Sequence, residues 1–93
     1  MPALSPQDAR LRLRTLPGWE IEDSQLTRTF LFAGFPAAIA FVDRLAVRAE
    51  EAGHHPDILI RYNRVQLTLV THDAGGLTEK DFSLAADASA LAG

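Results

Sequence analysis

The apolar residues of this chain change their spacing from one segment to the next, and that change decides which folds are open to it. Across residues 19–32 and again across 57–71, they tend to alternate with polar residues, as strands with one buried face do. Between those stretches, and towards both ends, they recur every three or four residues, the spacing of an amphipathic helix. A chain with both patterns has to lay helices on a sheet.

Local signals bound the elements. Ser5-Pro6-Gln7-Asp8 reads as a helix start: Ser5 can accept from a free backbone N–H, and Pro6 suits the first helical position. Leu11, Leu13 and Leu16 are the expected apolar contacts, and Pro17-Gly18 the stop. Trp19-Glu20-Ile21-Glu22 reads as a strand, with Trp19 in the core. Asp23-Ser24 forms a turn, and Gln25–Phe32 is the partner strand, with Leu26, Phe30 and Phe32 on one face. Gly34-Phe35-Pro36 opens a second helix that runs to about Ala52, with Ile39, Val42, Leu45 or Ala46, and Ala49 as its buried stripe. Gly53 ends it.

Asp57–Tyr62 and Arg64–Thr71 are two further strands, with Asn63 in the turn between them. After Ala74-Gly75-Gly76, the run Thr78-Glu79-Lys80-Asp81 caps a third helix. Its inner face holds Phe82, Leu84, Ala85, Ala88 and Leu91 or Ala92. The predicted order is α-β-β-α-β-β-α: one α+β domain over residues 1–93, a four-stranded, mostly antiparallel sheet with three helices on one face. The other sheet face has no cover within the chain, and each edge strand can pair. A homodimer is the expectation.

Composition narrows the function. Nine Lys and Arg against twelve Asp and Glu leave a net charge of −3, which argues against a nucleic-acid binder held by phosphate contacts. With no cysteine there is no disulfide, thiolate nucleophile or cysteine-ligated zinc. The longest unbroken aliphatic and aromatic run, Ala37–Val42, has six residues, against about 20 for a membrane span. A cytoplasmic protein is expected, with no membrane partner.

The chemistry gathers around the histidines. His54, His55 and His72 are the three in the chain, all within residues 54–72. Imidazole exchanges protons near neutral pH with little tuning. Pro56 disfavours the helical region for His55, so the pair should be extended. Four readings compete. The histidines could be solvated loop residues. They could bind a metal, but neighbours in an extended segment point to opposite sides and no HExxH spacing is present. A serine nucleophile would need an elbow such as G-x-S-x-G, and none exists. Metal-free general acid–base catalysis is the reading that survives.

The string Glu50-x3-His54-His55-Pro56-x5-Tyr62-x9-His72-x8-Asp81 resembles the signature of the pterin-4a-carbinolamine dehydratases. Gly18-Trp19, Tyr62-Asn63, Thr71-His72 and Gly76-Leu77-Thr78-Glu79-Lys80-Asp81 also fall where that family has like residues, and the element order is the family's. Three positions depart: Ile58 stands where some members carry Trp, Gly53 where others have Asp, and Val70 where some have a small polar residue. These touch the shape of a pocket and leave the histidine set intact.

The resemblance implies a hydro-lyase that dehydrates 4a-hydroxytetrahydropterin (4a-hydroxytetrahydrobiopterin) to quinonoid dihydropterin. The pterin of aromatic amino-acid hydroxylases is recycled in this way. It implies no metal or organic cofactor; the assembly expected from the uncovered sheet and its edges is a homodimer or dimer of dimers. It makes His54 and His72 the proton-transfer groups and His55 chiefly a pterin-binding residue, with Glu50, Pro56, Thr71 and Asp81 around the substrate. From the residues alone, Glu50 is either a solvated helix-end carboxylate or one that orients an imidazole or meets the pterin. Asp81 either pairs with a histidine or caps the third helix. Pro56 fixes the geometry of the histidine pair, and Tyr62 reads as a core or hairpin residue. The alternative activity is non-catalytic: pterin binding, or a dimerisation or coactivator role, on the same fold. Assembly chaperones on that fold are a third class, and those typically lose the histidine set.

Overall fold

A computed structural model describes residues 2–93. Ser5 accepts from the backbone N–H of Asp8 at 3.1 Å and starts α1, Pro6–Leu13. This helix ends before the expected Pro17-Gly18 stop. Tighter bonds take over, from Thr15 N–H to the Arg12 carbonyl and from Leu16 N–H to the Leu13 carbonyl. The turn, not the helix, therefore delivers Leu16 to the core. Ala9 and Leu13 share the inner face one helical turn apart, which leaves Leu11 on the far side and exposed, contrary to expectation.

The sheet comprises β1 (Glu20–Glu22), β2 (Gln25–Leu31), β3 (Asp57–Arg61) and β4 (Arg64–Leu69) in the order β1-β2-β4-β3, every pair antiparallel. Asp23 and Ser24 both take positive φ, 51° and 61°, as a tight two-residue hairpin turn needs. Register sorts the faces. Ile21, Leu26, Phe30, Val65, Leu67, Leu69, Ile58 and Ile60 point to the helices. Thr27, Thr29, Leu31, Arg64, Gln66, Asp57, Leu59 and Arg61 point away. Three strands stop short of their expected ends, because the chain there bonds outside the ladder. Phe32 N–H goes to the Asn63 carbonyl, the Asn63 side chain donates to the Phe32 carbonyl, and Thr71 pairs only with Gly76. Tyr62 stands in the hairpin turn, exposed and at φ 53°.

Helix α2, Phe35–Ala52, buries Ala38, Phe41, Leu45 and Ala49. The expected stripe holds at Leu45 and Ala49 and is displaced by one residue in its first half, where Ile39 and Val42 are half-buried beside it; Ala46 is exposed. The sheet aromatics set the phase, because Phe41 packs against both Phe30 and Phe32 with ring centroids 5.0 Å apart. Helix α3, Glu79–Ala92, buries Phe82, Leu84, Ala85 and Ala88 and packs beside α2. Arg48 of α2 reaches Asp87 of α3 at 3.0 Å. Trp19 is in the core, and its indole N–H donates to Ser89 of α3 at 2.8 Å. The three helices cover one sheet face, as expected. Among the described residues, no helix is long and apolar enough to cross a membrane.

Candidate functional site

The end of α2 aims the first two histidines. Gly53 adopts the left-handed conformation, φ 64°, and its N–H closes the helix onto the Ala49 and Glu50 carbonyls. A Cβ at this position would meet nothing within 4 Å, so glycine is favoured here by backbone conformation alone. His54 N–H still bonds to the Ala49 carbonyl at 3.2 Å, and Pro56 then carries the chain into β3. Successive side chains of this extended link face opposite ways. His54 turns inward, with 12% of its side chain exposed. His55 turns outward, with 66% exposed.

Each imidazole meets one carboxylate. His54 Nε2 lies 2.6 Å from Oδ1 of Asp81, a side chain with no exposed surface. His55 Nε2 lies 2.7 Å from Oε1 of Glu50, which is 80% exposed. Of the two readings of Asp81, both hold. It pairs with His54, and its Oδ2 also accepts the Thr78 backbone N–H at 2.9 Å, completing a capping box at the start of α3. Of the readings of Glu50, the contact with an imidazole is present.

Thr71 ties the third histidine to this group. Its hydroxyl donates to Asp81 Oδ2 at 2.8 Å and lies 2.8 Å from the Thr78 hydroxyl. His72 follows directly and opens a short 3₁₀ turn, His72–Ala74, which Gly75 closes in the left-handed conformation. The imidazole of His72 is exposed. His54 is therefore joined to the His72 segment through two side chains, Asp81 and Thr71. The ends of α2 and β4 and the start of α3 meet there. Pro56 is half-buried between the histidine pair and β3.

Clefts adjoin the region. One, of about 270 Å³, is bordered by His54, Ala52, Lys80 and Asp87 between α2 and α3. Another, of about 420 Å³, runs from α1 to the Gly75-Gly76-Leu77 segment, and among the described residues Arg10 is the one ionisable group lining it. Among the described residues, no group of three or more His, Asp or Glu side chains is arranged to hold a metal ion.

Sequence reasoning leaves Thr78 as a cap and misses its place in this network. The spacing Thr78-x-x-Asp81 signals the capping box, but nothing local signals Thr71, which reaches Asp81 from another element.

Residues 2–91 match the family profile described as pterin 4 alpha carbinolamine dehydratase. A Chloroflexus aurantiacus protein provisionally named a pterin-4-alpha-carbinolamine dehydratase is 62% identical over 92% of this chain and 92% of its own. An Acidobacterium capsulatum protein of the same provisional name is 56% identical over 98% and 99%. The crystal structure of a transcriptional coactivator/pterin dehydratase from Brucella melitensis superposes with a TM-score of 0.95 at 39% identity, over 98% of this chain and 99% of that one. A pterin dehydratase-like protein identified as a RuBisCO assembly factor in the alpha-carboxysome superposes at 0.67 with 33% identity, over 81% and 87%.

Proposed function

The chain belongs to the pterin-4a-carbinolamine dehydratase family, and from that premise we propose that it dehydrates 4a-hydroxytetrahydropterin to quinonoid dihydropterin and water by proton transfer through its histidines. The observation that carries this reading is the inward-facing His54, held by a buried carboxylate that also bonds to the residue before His72. Imidazoles held or exposed at one corner of a small fold are suited to a reaction limited by proton transfer.

The chemistry needs little else. The lone pair of the adjacent ring nitrogen pushes the hydroxyl off the 4a-carbon. An acid protonates that hydroxyl, the C–O bond breaks and water leaves. A base then takes one N–H proton, so the products are quinonoid dihydropterin and water. General acid–base help of this kind is typically worth about 10²–10⁴-fold. His54 and His72 are the proton-transfer groups in this proposal, and the exposed His55–Glu50 pair meets the pterin. Pro56, Thr71 and Asp81 shape the site. In a cell with an aromatic amino-acid hydroxylase, such a step returns spent pterin for reduction.

The test is direct. Purified protein accelerates the decay of freshly generated carbinolamine, and the double substitution His54→Ala/His72→Ala removes the acceleration while the folded spectrum persists. A double variant with parental rates would favour a non-catalytic role. That second reading draws support from the coactivator and assembly-factor descriptions of the two similar structures. Acceleration that depends on added zinc would favour a metal mechanism.

We extend the proposal to a homodimer built on β3. This strand pairs with β4 on one side only, and its sequence is Asp57-Ile58-Leu59-Ile60-Arg61. Ile58 and Leu59 are exposed by 38% and 47%. An antiparallel copy centred on Leu59 would set Asp57 opposite Arg61 of the partner subunit, and Ile58 opposite Ile60 of the partner subunit. Asp57→Arg should give a monomer in light scattering, and Asp57→Arg/Arg61→Asp should restore the dimer. A single variant that stays dimeric removes this edge as the interface.

A further inference from the structure

We propose that Asp81 is a positioning residue that confines proton transfer by His54 to its Nδ1, and that an amide at residue 81 reverses the imidazole. The inference deepens the dehydratase reading and rests on it for the role of His54.

Asp81 Oδ2 accepts from the backbone N–H of Thr78 at 2.9 Å and from the hydroxyl of Thr71 at 2.8 Å. A threonine hydroxyl has a single proton. Thr71 gives its proton to Asp81, so Thr78 must be the donor in the 2.8 Å contact between the two hydroxyls. The Thr78 hydroxyl oxygen in turn accepts from the Lys80 backbone N–H at 3.3 Å. Two backbone N–H groups, which cannot be reversed, thus set the direction of this network.

Asp81 Oδ1 is left with one partner, His54 Nε2 at 2.6 Å. A carboxylate only accepts, so Nε2 carries the proton. In the neutral ring, the lone pair is then on Nδ1. In the charged ring, Nδ1–H is the proton not already held by Asp81. Base and acid roles both pass through the same atom. His54 is 12% exposed and Asp81 not at all, so water does not compete for this pair as it does for His55 and Glu50.

An asparagine at 81 has only one placement in this network. Its oxygen must occupy the Oδ2 position, because an NH₂ group there would face the Thr78 N–H donor. Its NH₂ then faces His54 Nε2 and donates to it. Nε2 becomes the acceptor, and the ring's single proton moves to Nδ1. The neutral ring loses its base on the reacting side, and a second proton on Nε2 would face the NH₂. The cap of α3 survives, since the amide oxygen still accepts from Thr78. A comparable carboxylate-to-amide change in the serine-protease triad leaves the geometry intact and disables the histidine by imposing the wrong tautomer.

The experiment uses the full chain labelled with ¹⁵N-histidine, with the His54 signals assigned by their loss in His54→Ala. Two-bond ¹H–¹⁵N spectra should place the His54 proton on Nε2 in the parent and on Nδ1 in Asp81→Asn. Carbinolamine dehydration by Asp81→Asn should fall by about 10²-fold or more in kcat, the usual range for lost proton transfer. Thr71→Val removes one donor to Oδ2 and leaves Oδ1 an oxygen, so the His54 proton should stay on Nε2. A parent ring with its proton on Nδ1 overturns the inference even if Asp81→Asn does not fold. So does an Asp81→Asn ring that reverses with no change in kcat, or one that fails to reverse. A parent that does not accelerate dehydration defeats the dehydratase reading instead, and the spectra still decide where the proton sits.

Discussion

His54 and His55 are neighbours in the chain, and each holds a carboxylate at nearly the same distance, 2.6 and 2.7 Å. Their surroundings differ. One pair is closed off on α3, with its carboxylate bonded to Thr71 and Thr78 as well. The other stands in solvent at the end of α2. Distance alone does not rank them. An exposed ion pair gives up side-chain entropy and is screened by salt, whereas a buried carboxylate without its donors is left with no substitute from water. On the proposed function, this difference divides the labour at the site. The inner pair is held in place, and the outer pair is free to exchange its partner for a ligand.

Stability should break this symmetry most strongly. Asp81→Ala removes one half of the capping box of α3 while Thr78 keeps its bond to the Lys80 N–H, and it strands buried donors that cost about 1–3 kcal/mol each. A total loss of roughly 3 kcal/mol is expected by urea unfolding, with neighbouring losses not simply additive. Glu50→Ala should change stability by less than about 0.5 kcal/mol, the usual range for an exposed residue. Equal losses in the two variants would mean that the buried network does not hold the fold at this corner.

Much of this arrangement is legible in the sequence, and the rest fails for identifiable reasons. Alternation and helical spacing are local properties, so the element order and the buried Leu26, Phe30, Val65, Leu67 and Leu69 follow from them. The opposed directions of His54 and His55 follow from the extended link before Pro56. The phase of α2 does not follow, because Ile39 and Val42 are as apolar as Ala38 and Phe41. Only Phe30 and Phe32 and the close packing against α3 choose between the two stripes. Asp81 reads locally as a cap or a partner, and its double role needs two oxygens facing different elements. The bond from Thr71 and the proton order through Thr78 depend on β4 ending beside α3, which no spacing within either segment encodes. The 3₁₀ turn that carries His72 begins directly after the predicted strand end at Thr71, and no spacing in the segment signals it.

The outer pair gives the smallest expected effect and the finest test of the division. If His55 and Glu50 serve the ligand, then His55→Ala should leave kcat near the parental value and raise KM. One lost hydrogen bond of about 1–1.5 kcal/mol corresponds to a rise of roughly tenfold. His54→Ala should do the reverse, lowering kcat with KM little changed, because a proton-transfer group acts in the transition state more than in the bound ground state. The Glu50 carboxylate is already in water, so Glu50→Gln should shift KM less than His55→Ala, and added salt should narrow the gap between Glu50→Gln and the parent. If His55→Ala instead lowers kcat as far as His54→Ala, the outer imidazole shares in the chemistry. The difference in burial between the two pairs would then mark folding history at this corner and not a separation of roles.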